Sequence, residues 1–194
     1  NQFMTSVLIL ISLVLVGCGK LTTIQGVYAS SDNRCWVVNG ILKLFASANL
    51  TEYTIPNNVT KVGAHAFLNC DSLSNVTIPE GVISVADYAF YDCDNLKSVT
   101  IGNSVTTIGE RVFCDCKLLS HLTIGKNVKE IGCQAFIECS NIYMIICRAT
   151  TPPKLDWFLS DSTPTSFEKL ETLVIPTGCE EAYANSDWGY YLKE

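Results

Sequence analysis

Leu50, Leu73, Leu96 and Leu119 stand 23 residues apart, and most apolar residues between them keep the same step. Tyr53, Val76, Val99 and Leu122 form one column, Ile55, Ile78, Ile101 and Ile124 the next, and Val59, Val82, Val105 and Val128 a third. Val62, Val85, Ile108 and Ile131, then Phe67, Phe90, Phe113 and Phe136, then Cys70, Cys93, Cys116 and Cys139 complete the unit. A fixed period of about 20–50 residues is the mark of a solenoid. One coil cannot bury its apolar face alone; stacked coils bury a continuous core, each touching only its neighbours. Four such units fill residues 50–141. The expected architecture is mostly strand and turn with short helical segments.

Each unit opens L-x-x-[YVL]-x-I, continues through V-T-I-P and V-x-x-I-G, and closes on A-F-x-x-C. The opening is the strand signature of a leucine-rich repeat, and the whole combination resembles the BspA-type leucine-rich-repeat proteins. These are surface proteins known mainly from anaerobic Gram-negative bacteria of mouth and gut and from some parasitic protists. The resemblance implies an α/β-type repeat solenoid and, as a class of function, adhesion to host matrix proteins or to other bacteria. Departures are local: Gly102 and Gly125 replace the strand-end Pro56 and Pro79, Ala86 stands in the column of Gly63, Gly109 and Gly132, and Val112 replaces the Ala before Phe.

The flanks are expected to close the solenoid at both ends. Residues 27–49 read as an N-terminal capping hairpin, because Asn39-Gly40 supplies the two positive-φ residues of a type I′ turn between β-rich runs. Trp36 is expected in the core of that cap. Residues 142–194 read as a degenerate fifth unit, a last strand and a C-terminal cap. Pro152 and Pro153 cannot continue a ladder, since Pro lacks the amide donor, and about five extra residues bulge within 154–167. Leu170-x-x-Leu173-x-Ile175-Pro176 restores the strand, residues 178–185 read as a short helix, and Trp188, Tyr190 and Tyr191 are expected to fold over the last coil.

Residues 1–17 are apolar and uncharged. The run is shorter than the ~20 residues a spanning helix needs and suits a signal-peptide core. Leu15-Val16-Gly17-Cys18 fits a lipobox, which makes Cys18 the expected lipidation site and 18–26 a polar tether. The expected destination is export and lipid anchoring in the cell envelope, at the outer membrane and cell surface. The 194-residue chain carries a net charge of −6, with no basic stripe, so nucleic acid is not an expected partner.

Of the ten cysteines, four form the repeat column. Parallel Cβ vectors at the ~4.8 Å strand spacing exceed the reach of a disulfide, and a straight column does not converge on a metal. Buried thiols are expected there; a disulfide among Cys35, Cys114, Cys133 and Cys179 is left open. Asn69, Asp92, Asp115 and Glu138, with Asp71 and Asp94 close by, make an acidic column without calcium-loop spacing, which reads as a solvated turn. Only two histidines occur, and neither His65, in the column of Tyr88, Arg111 and Gln134, nor His121 has partner columns supplying a nucleophile and an orienting acid. No catalytic residue, metal or cofactor is expected.

The outward strand face is the candidate site. Strand residues alternate, so Glu52, Asn75, Ser98 and His121 form one exposed column and Thr54, Thr77, Thr100 and Thr123 another. Threonines pair well across strands, whereas the first column mixes charge and shape on a regular frame. The expected function is a surface-anchored module that binds a host or bacterial protein or glycan through this face. The competing expectation is a structural or scaffolding envelope lipoprotein with no soluble ligand.

Overall fold

A computed structural model describes residues 27–29, 34–46, 49–156 and 167–192. The expected signal peptide, the tether with Cys18, and most of the insertion within 154–167 lie outside these residues.

Two sheets run along the solenoid. In chain order the strands are β1 (Val27–Ala29), β2 (Cys35–Val38), β3 (Ile41–Phe45), β4 (Glu52–Thr54), β5 (Lys61–Val62), β6 (Asn75–Ile78) and β7 (Ser84–Val85). There follow β8 (Ser98–Ile101), β9 (Thr107–Ile108), β10 (His121–Ile124), β11 (Glu130–Ile131), β12 (Met144–Cys147), β13 (Lys154–Leu155) and β14 (Thr172–Val174). The strand signature forms the first sheet, six parallel strands in the order β4-β6-β8-β10-β12-β14. The V-x-x-[IV] tract forms the second, where the two-residue strands β5, β7, β9, β11 and β13 stack in parallel. Across the four regular units pairing in both sheets follows the 23-residue step, for example Val76 with Val99 and Val85 with Ile108.

The third side of each coil is a turn, not a helix, and the backbone says why. His65, Tyr88, Arg111 and Gln134 have φ between 48° and 58°, and Asn69, Asp92, Asp115 and Glu138 between 54° and 62°. Two left-handed residues four apart cannot share an α-helix. The chain instead sends alternate amides to the next coil: Phe67 N–H to Ala89 O (2.7 Å), Phe90 to Val112 (2.8 Å) and Phe113 to Ala135 (2.8 Å). Asn69, Asp92 and Asp115 amides do likewise, to Tyr91, Cys114 and Ile137. All three sides are thus tied coil to coil.

Side chains between the sheets are apolar and closed to solvent; Leu73, Leu96, Leu119, Ile55, Ile78, Ile101 and Ile124 are each 0% exposed. The phenylalanine column stacks as a spine, with ring centroids 4.5, 5.2 and 5.4 Å apart from Phe67 through Phe136. Phe45 adds a ring at the N-terminal end (4.6 Å) and Phe167 one at the C-terminal end (5.7 Å). Phe167 lies three residues before Leu170, where cysteine stands in the earlier units, yet its ring continues the phenylalanine stack.

The hairpin forms as expected, with Asn39 at φ 50° and Gly40 at φ 76°, and β3 joins the second sheet beside β5. A third strand, β1, adds antiparallel to β2. Cys35 and Val37 are its buried residues; Trp36, expected in the core, is half-buried on the opposite face. At the other end the expected helix is a single five-residue turn, Glu180–Ala184, followed by a 3-10 helix, Asp187–Tyr191. These are the helical pieces an α/β-type solenoid finds among the described residues. Trp188 and Tyr191 are buried as expected, but Tyr190 is 76% exposed.

Candidate functional site

Parallel pairing places the two strand-face columns side by side. Glu52, Asn75, Ser98 and His121 are direct partners from β4 to β10, and so are Thr54, Thr77, Thr100 and Thr123. Glu52, Thr54 and His121 are exposed; Asn75, Thr77, Ser98, Thr100 and Thr123 are half-buried by their neighbours. The columns also run on past the fourth unit. Met144 and Ile146 pair with His121 and Thr123, and Thr172 and Val174 follow on β14. The face is therefore polar over the first four strands and turns mostly apolar over the last two, where Thr172 is the one polar member of the two columns. The same 23-residue step carries this signal as far as residues 144 and 146; the degenerate look of the fifth unit hid it.

Several of these polar groups are already engaged with one another. Asn75 Nδ2 donates to Glu52 Oε1 (2.9 Å). Ser120 Oγ donates to Lys97 O (3.0 Å), so towards His121 Nδ1 (3.0 Å) it accepts. Nδ1 therefore carries the proton, and Nε2 accepts from the Tyr143 hydroxyl at 2.7 Å. The Tyr143 and His121 rings meet edge-on, 4.7 Å apart at 72°. Tyr143 did not stand out in the sequence, because its column (Ser74, Lys97, Ser120) has no common chemistry.

On the turn side, the column that reads as an unconstrained surface is a stacked ladder. His65 lies flat on Tyr88, centroids 5.3 Å apart at 5°. The Arg111 guanidinium sits 5.9 Å over the Tyr88 ring, Arg111 Nη1 donates to Tyr88 Oη (3.3 Å), and Nε donates to Gln134 Oε1 (2.6 Å). The acidic column beside it occupies the second left-handed position, a conformation that Asn and Asp adopt more readily than other non-glycine residues. That accounts for the Asn69, Asp92 and Asp115 side chains. Among the described residues no three His, Cys, Asp or Glu side chains converge as a metal-ligand set.

None of the nine described cysteines is cross-linked, those off the column included. In the repeat column the last three thiols reach back to the coil before them, while Cys70 points to Leu68 O of its own coil. Cys93, Cys116 and Cys139 donate to the carbonyls of Phe67, Phe90 and Phe113 at 3.1, 3.2 and 2.9 Å. The neighbouring column thiols, and then burial, push Cys70 and Cys116 well above the ordinary cysteine range. Burial and then Asp115 raise Cys114 to about 12.

Stacked parallel strands of this spacing define the class: a leucine-rich-repeat β-solenoid of about five turns, with little helix. Within that class the chain belongs to the BspA type leucine rich repeat family, whose pattern matches residues 42–154 in six copies. Repeat proteins of this kind are in general not enzymes. No curated protein matches the sequence. Among solved structures it is similar to a leucine rich cell surface protein from Faecalibacterium prausnitzii, with 22% identity and a TM-score of 0.60 over 80% of this chain and 39% of that one. A leucine-rich repeat protein from Eubacterium ventriosum shares 28% identity and a TM-score of 0.58 over 76% of this chain and 41% of its own. The T. pallidum leucine rich repeat protein shares 20% identity and a TM-score of 0.51 over 80% and 82%. The chain thus spans about two fifths of the length of the first two. Among the described residues no helix is long and apolar enough to cross a membrane.

Proposed function

We propose that this chain is a binding module of the cell surface that engages a protein or glycan partner through the strand face of its solenoid. The carrying observation is the contrast on that face. Over the first four of six parallel strands, a uniform threonine column stands beside one in which Glu52, Asn75, Ser98 and His121 differ in charge and shape. In this reading residues 1–17 export the chain, Cys18 carries the lipid and 18–26 hold the domain off the membrane. Two or three acyl chains, at ~0.8 kcal/mol per buried CH₂, suffice for stable anchoring. The three-stranded unit around the hairpin and the C-terminal helical pieces act as caps, and no residue has a catalytic role.

The Asn75–Glu52 bond and the engagement of both His121 ring nitrogens favour the second reading, a scaffolding lipoprotein, because they occupy groups a ligand would use. An array of glycans and matrix proteins separates the two. Binding to at least one member, weakened when Asn75, Ser98 and His121 are replaced together by Ala, is the expected result. Loss of binding from His65, Tyr88 and Arg111 replaced by Ala, with the strand-face triple silent, would move the site to the turn side.

A further inference from the structure

The regular coil is broken at one place on the described surface, and an open groove lies there. From Ile142 to Leu170 the step is 28 residues instead of 23, and Phe167 takes the place of the column cysteine. Earlier turns close on their neighbours: Asn95 Nδ2 donates to Asp71 O and Asn141 Nδ2 to Lys117 O, both at 2.6 Å, and Lys117 pairs with Asp94 at 3.2 Å. Between the turns that lead into β12 and β14, Asn141, Tyr143, Glu168, Lys169 and Glu171 line an open groove.

The groups on its wall are held in place before any ligand arrives. Tyr143, 39% exposed, has its hydroxyl fixed by His121 Nε2, and His121 is in turn fixed by Ser120. Lys169 Nζ donates to Asn141 Oδ1 at 2.8 Å, and Asn141 is anchored on the Lys117 carbonyl. The Tyr143 carbonyl accepts from the Glu171 and Thr172 amides at 3.0 Å, which sets the two walls at a constant separation. Such pre-ordering removes the side-chain entropy that binding would otherwise cost.

We infer that this groove is a subsite for a neutral oligosaccharide, with one sugar ring laid on Tyr143 and its hydroxyls shared among Glu168, Glu171, Lys169 and Asn141. The inference rests on the binding-module reading and gives it a ligand class. Sugar hydroxyls both donate and accept, which matches carboxylate acceptors set beside ammonium and amide donors. The apolar C–H face of a pyranose needs an exposed aromatic ring, and Tyr143 is 39% exposed with the His121 ring meeting it edge-on. A cationic ligand would have to enter beside the Lys169 ammonium, and an anionic one beside two carboxylates. A neutral polyol meets neither cost.

Tetramers of glucose, of N-acetylglucosamine and of mannose, titrated into the folded protein by NMR and calorimetry, test this. At least one is expected to bind in the millimolar range or tighter. Tyr143→Ala should weaken it by about tenfold or more and Glu171→Gln by several-fold, as at a small aromatic-centred contact. Both variants should keep the parent melting temperature, Lys43→Ala, exposed on the other sheet, should bind the sugar as the parent does, and the double variant Asn75→Ala/Ser98→Ala is titrated beside them. No binding of any tetramer at roughly 10 mM, where even a ~1 mM site would be filled, overturns the inference. So does binding that survives Tyr143→Ala, or that only the Asn75/Ser98 pair abolishes. If a protein ligand from the array binds while every tetramer fails, the inference falls and the binding-module reading stands.

Discussion

The strand side and the turn side of this solenoid carry columns that look equally free, and they are not. On the strand side Glu52, Asn75, Ser98 and His121 sit on ordinary extended backbone, so a replacement there changes the surface and little else. On the turn side His65, Tyr88, Arg111 and Gln134 hold a left-handed backbone that costs an L-residue roughly 1–2 kcal/mol. Glycine would remove that cost, yet four large polar side chains occupy the positions and stack on one another. Variation within a column is therefore a sign of freedom only where the backbone is relaxed.

The contrast can be broken or sharpened by substitution. The largest effect is expected from the inward face of the turn side: Phe90→Ala removes the middle of the aromatic spine and should cost about 3–5 kcal/mol in urea or thermal melts. Next comes Cys93→Ala, which leaves the Phe67 carbonyl without the thiol that donates to it and should cost about 1–3 kcal/mol. Cys93→Ser keeps a donor and should cost less; the reverse order would mean the thiol contributes only as an apolar group.

A pH titration reaches the same side. Cys114 is raised from 9.0 to about 12 in the fold, so the unfolded chain releases this proton first and stability must fall as pH climbs through that window. Buried Tyr183 and Tyr191, both raised by burial, add to the loss above pH 10.0. Urea midpoints measured from pH 8 to 11 (an alkaline range of about three units) should decline, and Cys114→Ala should make the decline shallower. The smallest pair is the sharpest comparison. Glu138→Asn, at φ 61°, should stabilise by about 0.5–1 kcal/mol, because Asn accepts the left-handed region, while Ser98→Ala on the strand side stays within about 0.5 kcal/mol of zero. Equal effects at the two positions would remove the distinction.

Spacing made the core legible. Columns such as Val62, Val85, Ile108 and Ile131 declare both the coil and its inward face, and the structure extends this one to Leu155. Asn39-Gly40 declared the hairpin because few residue pairs suit two positive φ values. The left-handed backbone at Tyr88, Arg111 and Gln134 was not legible, since these residue types carry no such preference. Trp36 was misplaced because ring size argues for burial, whereas strand alternation turned Cys35 and Val37 inward instead. Tyr143 and its bond to His121 escaped for another reason: the pair arises from residues 22 apart on different coils, joined by side-chain reach rather than by the repeat step.

The absence of cross-links among the described cysteines bears on how the stack responds to pulling. Among the described residues each coil is fastened to the next by hydrogen bonds, stacked rings and apolar packing with no covalent tie, so force applied along the axis finds a row of similar fasteners. A solenoid drawn out from its ends should therefore peel coil by coil. Each 23-residue step would release about 76–83 Å of chain, at ~3.3–3.6 Å per extended residue. A stack built this way would lengthen under load in increments, dissipating it over successive coils instead of letting go at once.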